Sequence, residues 1–195
     1  MKNIESAMED LNLNNQLLIE EIPDLDLYMD QVIQIFENKF SNSKRNPDDK
    51  VLTKTMINNY AKGKLFFPIE NKKYTKKHLI LISLIYQLKG ALSINDIKIT
   101  LNRLNELVSE EFDVERLYRS YLKLSEYNTD RFENDVTESI KGVTKEASEF
   151  EDENAKYIEQ LLMITSLVNM SNYYRRLAEK LVDELQEESN SKKLK

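Results

Sequence analysis

Lys54, Thr55, Asn58, Asn59 and Lys62 fall within nine residues of one another, and they suit contact with a polyanion better than bond-making chemistry. An Asn amide offers a donor and an acceptor side by side, the pair that the major-groove edge of adenine accepts. A Thr offers a hydroxyl and a methyl for a base edge or a thymine methyl. Lys carries no sequence information but neutralises phosphate. A few residues on, Lys64, Lys72, Lys73, Lys76 and Lys77 surround the polar tip Glu70 to Lys73. Together these ten residues form the expected DNA-binding set, with Thr55, Asn58 and Asn59 as readers and the lysines as clamps on the backbone.

The charge distribution sets this group apart. Of 195 residues with a formal net charge of −6, residues 1–43 carry −7, residues 44–103 carry +9 and residues 104–195 carry −8. The middle block holds thirteen Lys or Arg against Asp48, Asp49, Glu70 and Asp96. A local surplus of that size attracts a polyanion through counterion release even though the whole chain is acidic. The alternative is an ordinary solvated lysine surface.

Other chemistry finds little material. His78 is the single histidine and stands at a Lys-rich helix start, where it suits a surface or wing-supporting place better than general-base catalysis. There is no Gly-rich phosphate loop, no Glu-x-x-His pattern and no Ser, Asp and His arrangement, so no catalytic, metal or cofactor residues are expected. Glu149, Glu151, Asp152 and Glu153 could hold a cation, but consecutive acids on a helix point in different directions, which favours a solvated face. Tyr118, Tyr121 and Tyr127 could line a pocket or, at helical spacing, a core. The absence of cysteine excludes disulfides and thiolate zinc sites and is compatible with a reducing compartment. Met1 to Asp10 lacks the apolar core of a signal peptide, and no run approaches the roughly 18 apolar residues of a membrane span. The expected address is cytoplasmic, with no membrane partner.

The elements that must position these side chains are mainly helices, because three Gly and three Pro leave few turn formers for a sheet-rich fold. Asn3 to Glu21 is irregular and reads as an arm or weak helix. After Pro23, Asp24 or Asp26 could cap an amphipathic helix ending near Ser41, followed by a polar loop from Ser41 to Lys50. Thr53 is placed to cap a helix over 54–62 with Met56, Ile57 and Tyr60 on its inner face and Gly63 as its stop. LFFPIENKKY then suggests a small two-stranded hairpin. Thr75 to Gly90 has the wide apolar face of a core helix. Ser93 and Asp96 form a capping-box pattern for the next one, and another helix spans about 113–127.

Farther on, fifteen positions from Val136 to Leu185 alternate steps of four and three, and twelve of them are apolar or aromatic. That is the seam of a coiled coil or an antiparallel helix pair, with Gly142 and Glu149 to Glu153 as points of interruption. Between Tyr157 and Tyr174 the apolar surface widens, as a bundle or subunit interface requires. Tyr157, Leu161, Ile164 and Val168 are the expected dimer or partner interface. The spacing alone fits pairing within one chain as well as between two.

TKTMINNYAKGKLF followed by KKYTKKHLILISLIYQLKGALSINDIKITL is similar to the winged-helix head of MerR-type regulators, through Ile57, Tyr60, Leu65, Tyr74, Gly90, Ser93 and Ile97. Asn58 stands where that pattern usually carries an Arg, and Gly63 lies one residue early. Over a wider span, about Pro23 to Leu107, PDLDLYMDQV through SINDIK resembles more specifically a bacterial family catalogued as domain of unknown function 1836. The resemblance implies a MerR-like fold and a transcriptional regulator, and brings no ligand or operator with it.

The resulting expectation is an all-α, mainly helical chain: a MerR-like winged helix-turn-helix with a small β-hairpin wing, followed by a C-terminal helical or coiled-coil region. Residues 1–22 would form a flexible or weakly helical arm, 23–108 the winged-helix domain, 109–188 the dimerisation or bundle region and 189–195 a disordered tail. The expected partners are double-stranded DNA and a second copy of the chain. The alternative is a non-catalytic helical interaction protein that keeps the winged helix as a scaffold for a protein partner.

Overall fold

A computed structural model describes residues 2–109, 112–150 and 154–193. In chain order it contains α1 (Lys2–Asp10), β1 (Leu27–Tyr28), α2 (Met29–Phe40), α3 (Lys54–Gly63), β2 (Lys73–Tyr74), α4 (Lys76–Leu88), α5 (Ile94–Ser109), α6 (Val114–Ala147) and α7 (Ala155–Lys193). The chain is thus mainly helical, as its shortage of turn formers dictates.

α4 is the centre of the first layer. Leu79, Ile80, Leu81, Ile82 and Ile85 are all buried, so this helix is apolar nearly all round and other elements cover it on several sides. α2 contributes Val32, Phe36 and Phe40, α3 contributes Ile57 and Tyr60, α5 contributes Ile97 and Leu101, and α6 contributes Val114 and Tyr118 to the same core. Phe36, Phe40 and Tyr86 meet with ring centroids 4.5–6.2 Å apart, closing the α2–α4 junction. The expected caps form: the Thr53 hydroxyl accepts the Met56 N–H at 3.1 Å, and Ser93 and Asp96 satisfy each other's backbone N–H groups.

Several elements differ from the sequence expectation. α2 begins at Met29 rather than after Asp24 or Asp26, because Gln31 Oε1 accepts the Tyr28 N–H at 2.8 Å. Leu27 and Tyr28 are instead a strand. They pair antiparallel with β2, Leu27 opposite Tyr74 and Tyr28 opposite Lys73. The hairpin expected within LFFPIENKKY is reduced to one bridge, Glu70 to Lys73, around a tight turn. Leu65 and Phe66 are buried in the core, and Pro68 has no N–H to give, so that arm cannot sustain a ladder.

The arm is not loose throughout. α1 is helical, with Ile4 and Met8 packed against Val136, Val143 and Met163. Leu17, Ile19 and Ile22 are buried, and the Tyr118 hydroxyl donates to the Leu17 carbonyl at 2.8 Å. The first core therefore runs from Leu17 to Tyr118, wider at both ends than 23–108.

The helix expected over 113–127 continues unbroken to Ala147, through Gly142, where a Cβ would meet nothing within 4 Å. α7 returns and packs on α6 and α5, and Thr144 donates to Glu159 Oε1 across the pair at 2.9 Å. The seam that is continuous in sequence is thus folded back on itself between Ala147 and Ala155. Glu151, Asp152 and Glu153 lie outside the described residues. The polar tail forms the last turns of α7 as far as Lys193. Among the described residues no helix is long and apolar enough to cross a membrane.

Candidate nucleic-acid interface

α3 is fixed from three sides, and that fixes what it leaves outward. Val51 and Leu52 are buried immediately before its cap, and the Lys89 ammonium donates to the Val51 carbonyl at 3.0 Å while lying 4.3 Å from the Tyr86 ring centre. Burial pushes the Lys89 pKa down, although the ring and the carbonyl favour its charged form. The Lys44 ammonium pairs with Glu37, holding the loop that enters α3 against α2. Ile57 and Tyr60 then anchor the inner face.

Thr55, Asn58, Asn59 and Lys62 fall at i, i+3, i+4 and i+7 and are all exposed. That is one stripe along the helix. Among the described residues none of the four side chains has a hydrogen-bond or ionic partner, so the donors and acceptors of this stripe face water. Lys54 is exposed too, but its ammonium lies 2.7 Å from the Asp30 carboxylate at the start of α2.

The exit from α3 is unusual. Gly63 closes the helix, yet the left-handed residue is Lys64, at φ 58° and ψ 42°. The Lys64 N–H bonds to Ala61 O at 3.1 Å and the Leu65 N–H to Tyr60 O at 3.0 Å, the two reverse bonds of a Schellman stop. Gly63 meets a different need: a Cβ there would lie 2.7 Å from Leu65 Cδ1. Lys64 is exposed beyond the end of the stripe.

A tight turn follows. Asn71 and Lys72 both have positive φ, 49° and 60°, and the Lys73 N–H closes the turn on Glu70 O at 2.8 Å. This is the two-residue turn whose twist suits antiparallel strands. Lys72 is exposed at the tip. Lys73 is half-buried, its ammonium 5.7 Å from the centre of the Tyr28 ring opposite it in the ladder. Lys76 is held by Glu115 of α6 at 3.4 Å, and Lys77 is exposed. Lys62, Lys64, Lys72 and Lys77 are therefore the exposed lysines of the set without an anionic partner among the described residues, whereas Lys54 and Lys76 already have one.

His78 supports the segment between α3 and α4 from inside. It is only 2 % exposed, with Nδ1 accepting the Thr75 N–H at 3.1 Å and Nε2 3.3 Å from the Phe67 carbonyl. An acceptor at Nδ1 leaves the proton on Nε2, which donates to Phe67. Burial lowers its pKa, so the ring is neutral and structural. No signal in the sequence announced this partner.

Tyr157, Leu161, Ile164 and Val168, expected from the sequence at a dimer or partner interface, are all exposed on α7. Tyr118 and Tyr121 are core residues stacked at 5.5 Å, while Tyr127 is exposed. The ion pair of Lys54 with Asp30 and the bond of Tyr118 to Leu17 join residues 24 and 101 positions apart, beyond the reach of spacing arguments.

The model of the family described as a domain of unknown function (DUF1836) matches residues 17–121, more than half of the chain. The matched segment begins at the buried Leu17 and extends just past the Tyr118 that binds it. No curated protein and no solved structure matches the chain. The chain belongs to the DUF1836 family.

Proposed function

We propose that this DUF1836 member binds double-stranded DNA, with α3 in the major groove and the wing on the adjacent backbone, and acts as a transcriptional regulator in the bacterial cytoplasm. The observation that carries the proposal is the stripe Thr55, Asn58, Asn59 and Lys62, exposed and unpartnered on a helix whose opposite face is locked into the core. Two adjacent Asn amides offer the bidentate pattern that adenine accepts. Lys64, Lys72 and Lys77 supply phosphate contacts around them.

The order β1, α2, α3, turn, β2, α4, with β1 paired to β2, supports a MerR-like winged helix-turn-helix in which α3 is the recognition helix. The net charge of +9 over residues 44–103 supports the same choice of partner.

The test is duplex binding measured over a series of salt concentrations. Each lysine that releases a counterion adds roughly 0.9 to the slope of log K against log salt. Charge reversal at Lys72 and Lys77 should lower affinity for all sequences and flatten that slope. Unchanged affinity after both reversals would sink the proposal.

A non-catalytic interaction protein, keeping the head as a scaffold, is the second reading. It is favoured by one observation, the exposed apolar side of α7.

A further inference from the structure

Thr55, Asn58, Asn59 and Lys62 make up the outward stripe of α3, so its two central side chains are amides and none is Arg. Asn58 and Asn59 stand between Ile57, which is fully buried, and Tyr60, which is 4 % exposed. Thr53 caps the helix, the Lys89 ammonium holds the Val51 carbonyl before it, and the left-handed Lys64 closes it. Both amides are therefore carried on a backbone fixed at each end. A base edge that meets them is met in one geometry.

We infer that methylation of adenine at N6 excludes a duplex from this face, so that the protein distinguishes methylated from unmethylated copies of one DNA sequence. The inference rests on the proposed reading of DNA by α3 and names how that reading is regulated. In the major groove adenine presents the N7 acceptor and one N6 hydrogen, and an Asn amide uses both: Nδ2–H donates to N7 while Oδ1 accepts from N6–H. The other N6 hydrogen pairs with thymine O4. While the base pair is intact, a single N6-methyl therefore stands on the N7 side, in place of the hydrogen that Oδ1 accepts. Flipping the amide does not rescue the contact, because Oδ1 would then face N7, acceptor against acceptor.

The surroundings of the amides decide the sign. A face that recruits methylated DNA needs an apolar recess for the added carbon. Here Met56 and Ala61 are half-buried and packed against the core, and Lys62 ends the stripe in a charge. An Asn Oδ1 deprived of its donor also has no second partner within the chain, since among the described residues neither amide is hydrogen-bonded. A polar group desolvated in an interface without its hydrogen bond costs affinity. Lysine contacts to phosphate are untouched by a base methyl, so the loss falls on sequence reading and not on general affinity.

The test is a parallel selection by the full-length protein from two random duplex libraries, one made with adenine and one with N6-methyladenine throughout. The adenine library should yield a motif, and the methylated library should yield none with adenine at the same positions. One methyl at a contacted adenine of the selected duplex should lower affinity roughly 5- to 150-fold, the worth of one bidentate contact. The slope of log K against log salt should stay the same, because no phosphate contact is lost. Asn58→Ala or Asn59→Ala, whichever removes the contact to that base, should bind the methylated and unmethylated duplexes alike. Both side chains are exposed, so the variants should keep the wild-type circular dichroism. One motif from both libraries with equal affinities, or tighter binding of the methylated duplex, would overturn the inference and leave DNA reading standing. Enrichment from neither library would remove both.

Discussion

His78 holds Phe67 in two ways: its Nε2 lies 3.3 Å from the Phe67 carbonyl, and the two rings approach to 3.8 Å between centroids. Through Nδ1 the same imidazole accepts the Thr75 N–H at the start of α4. One neutral side chain thus ties both ends of the segment from Phe67 to Thr75, and protonating Nδ1 would break one of those ties.

Stability should fall as pH drops below about 6.5, the ordinary value for an imidazole. Burial holds the folded pKa of His78 below that value, so between the two pKa values the unfolded chain binds more protons. The contribution is complete above about 6.5 and is lost as pH falls toward the lowered folded value. Thermal melts of the wild type and His78→Gln across this range check it. The wild type should show the steeper loss, and equal slopes would remove His78 as the cause.

Lys64→Gly should stabilise the fold by about 1 kcal/mol. A non-glycine residue at φ 58° carries the left-handed penalty that glycine escapes. Lys64→Val should destabilise by more, because a branched Cβ crowds that conformation further. Chemical denaturation reads both, and a destabilised Lys64→Gly would show that the Lys64 side chain contributes more than its backbone costs.

Asp30→Asn should raise affinity for duplex DNA several-fold at low salt and steepen the salt dependence by close to one unit. The Asp30 carboxylate currently pairs with Lys54, and its removal frees that ammonium for a phosphate. Both partners are largely exposed, so the melting temperature should hardly move. An unchanged slope would place Lys54 away from the DNA.

Tyr118→Phe should cost about 1–3 kcal/mol, because the buried Leu17 carbonyl loses its donor. Burial pushes the Tyr118 pKa up to about 12. The unfolded phenol ionises near 10, so this stabilisation is complete below about pH 10 and is lost as pH rises through about 12. Denaturation at neutral pH checks the first statement. Faster proteolysis near Asn14 in the variant checks that the Leu17 segment is what it holds.

Much of the head could be read in the sequence because its signals are local. Thr53, Ser93 and Asp96 cap where their side-chain chemistry says they should, and the 3.6-residue spacing of Ile57 and Tyr60 leaves the expected stripe outward. What stayed hidden is carried by distant partners. β2 pairs with Leu27 and Tyr28 rather than with its own hairpin arm, because Leu65 and Phe66 are worth more in the core than in a ladder. The α7 seam keeps one period while its covered side changes, a property of what packs beside it and not of spacing. For the site, composition located the lysines but could not distinguish Lys72, which is exposed, from Lys76, which Glu115 holds.

In vitro selection from a random duplex library by the full-length protein asks directly whether α3 reads DNA sequence. The expected result is an enriched motif containing adenines whose recognition is lost on Asn58→Ala or Asn59→Ala, at a cost of roughly 1–3 kcal/mol for each bidentate contact, while Lys72→Glu weakens all sequences alike. A library recovered without enrichment, or a motif unchanged by both Asn substitutions, would contradict it.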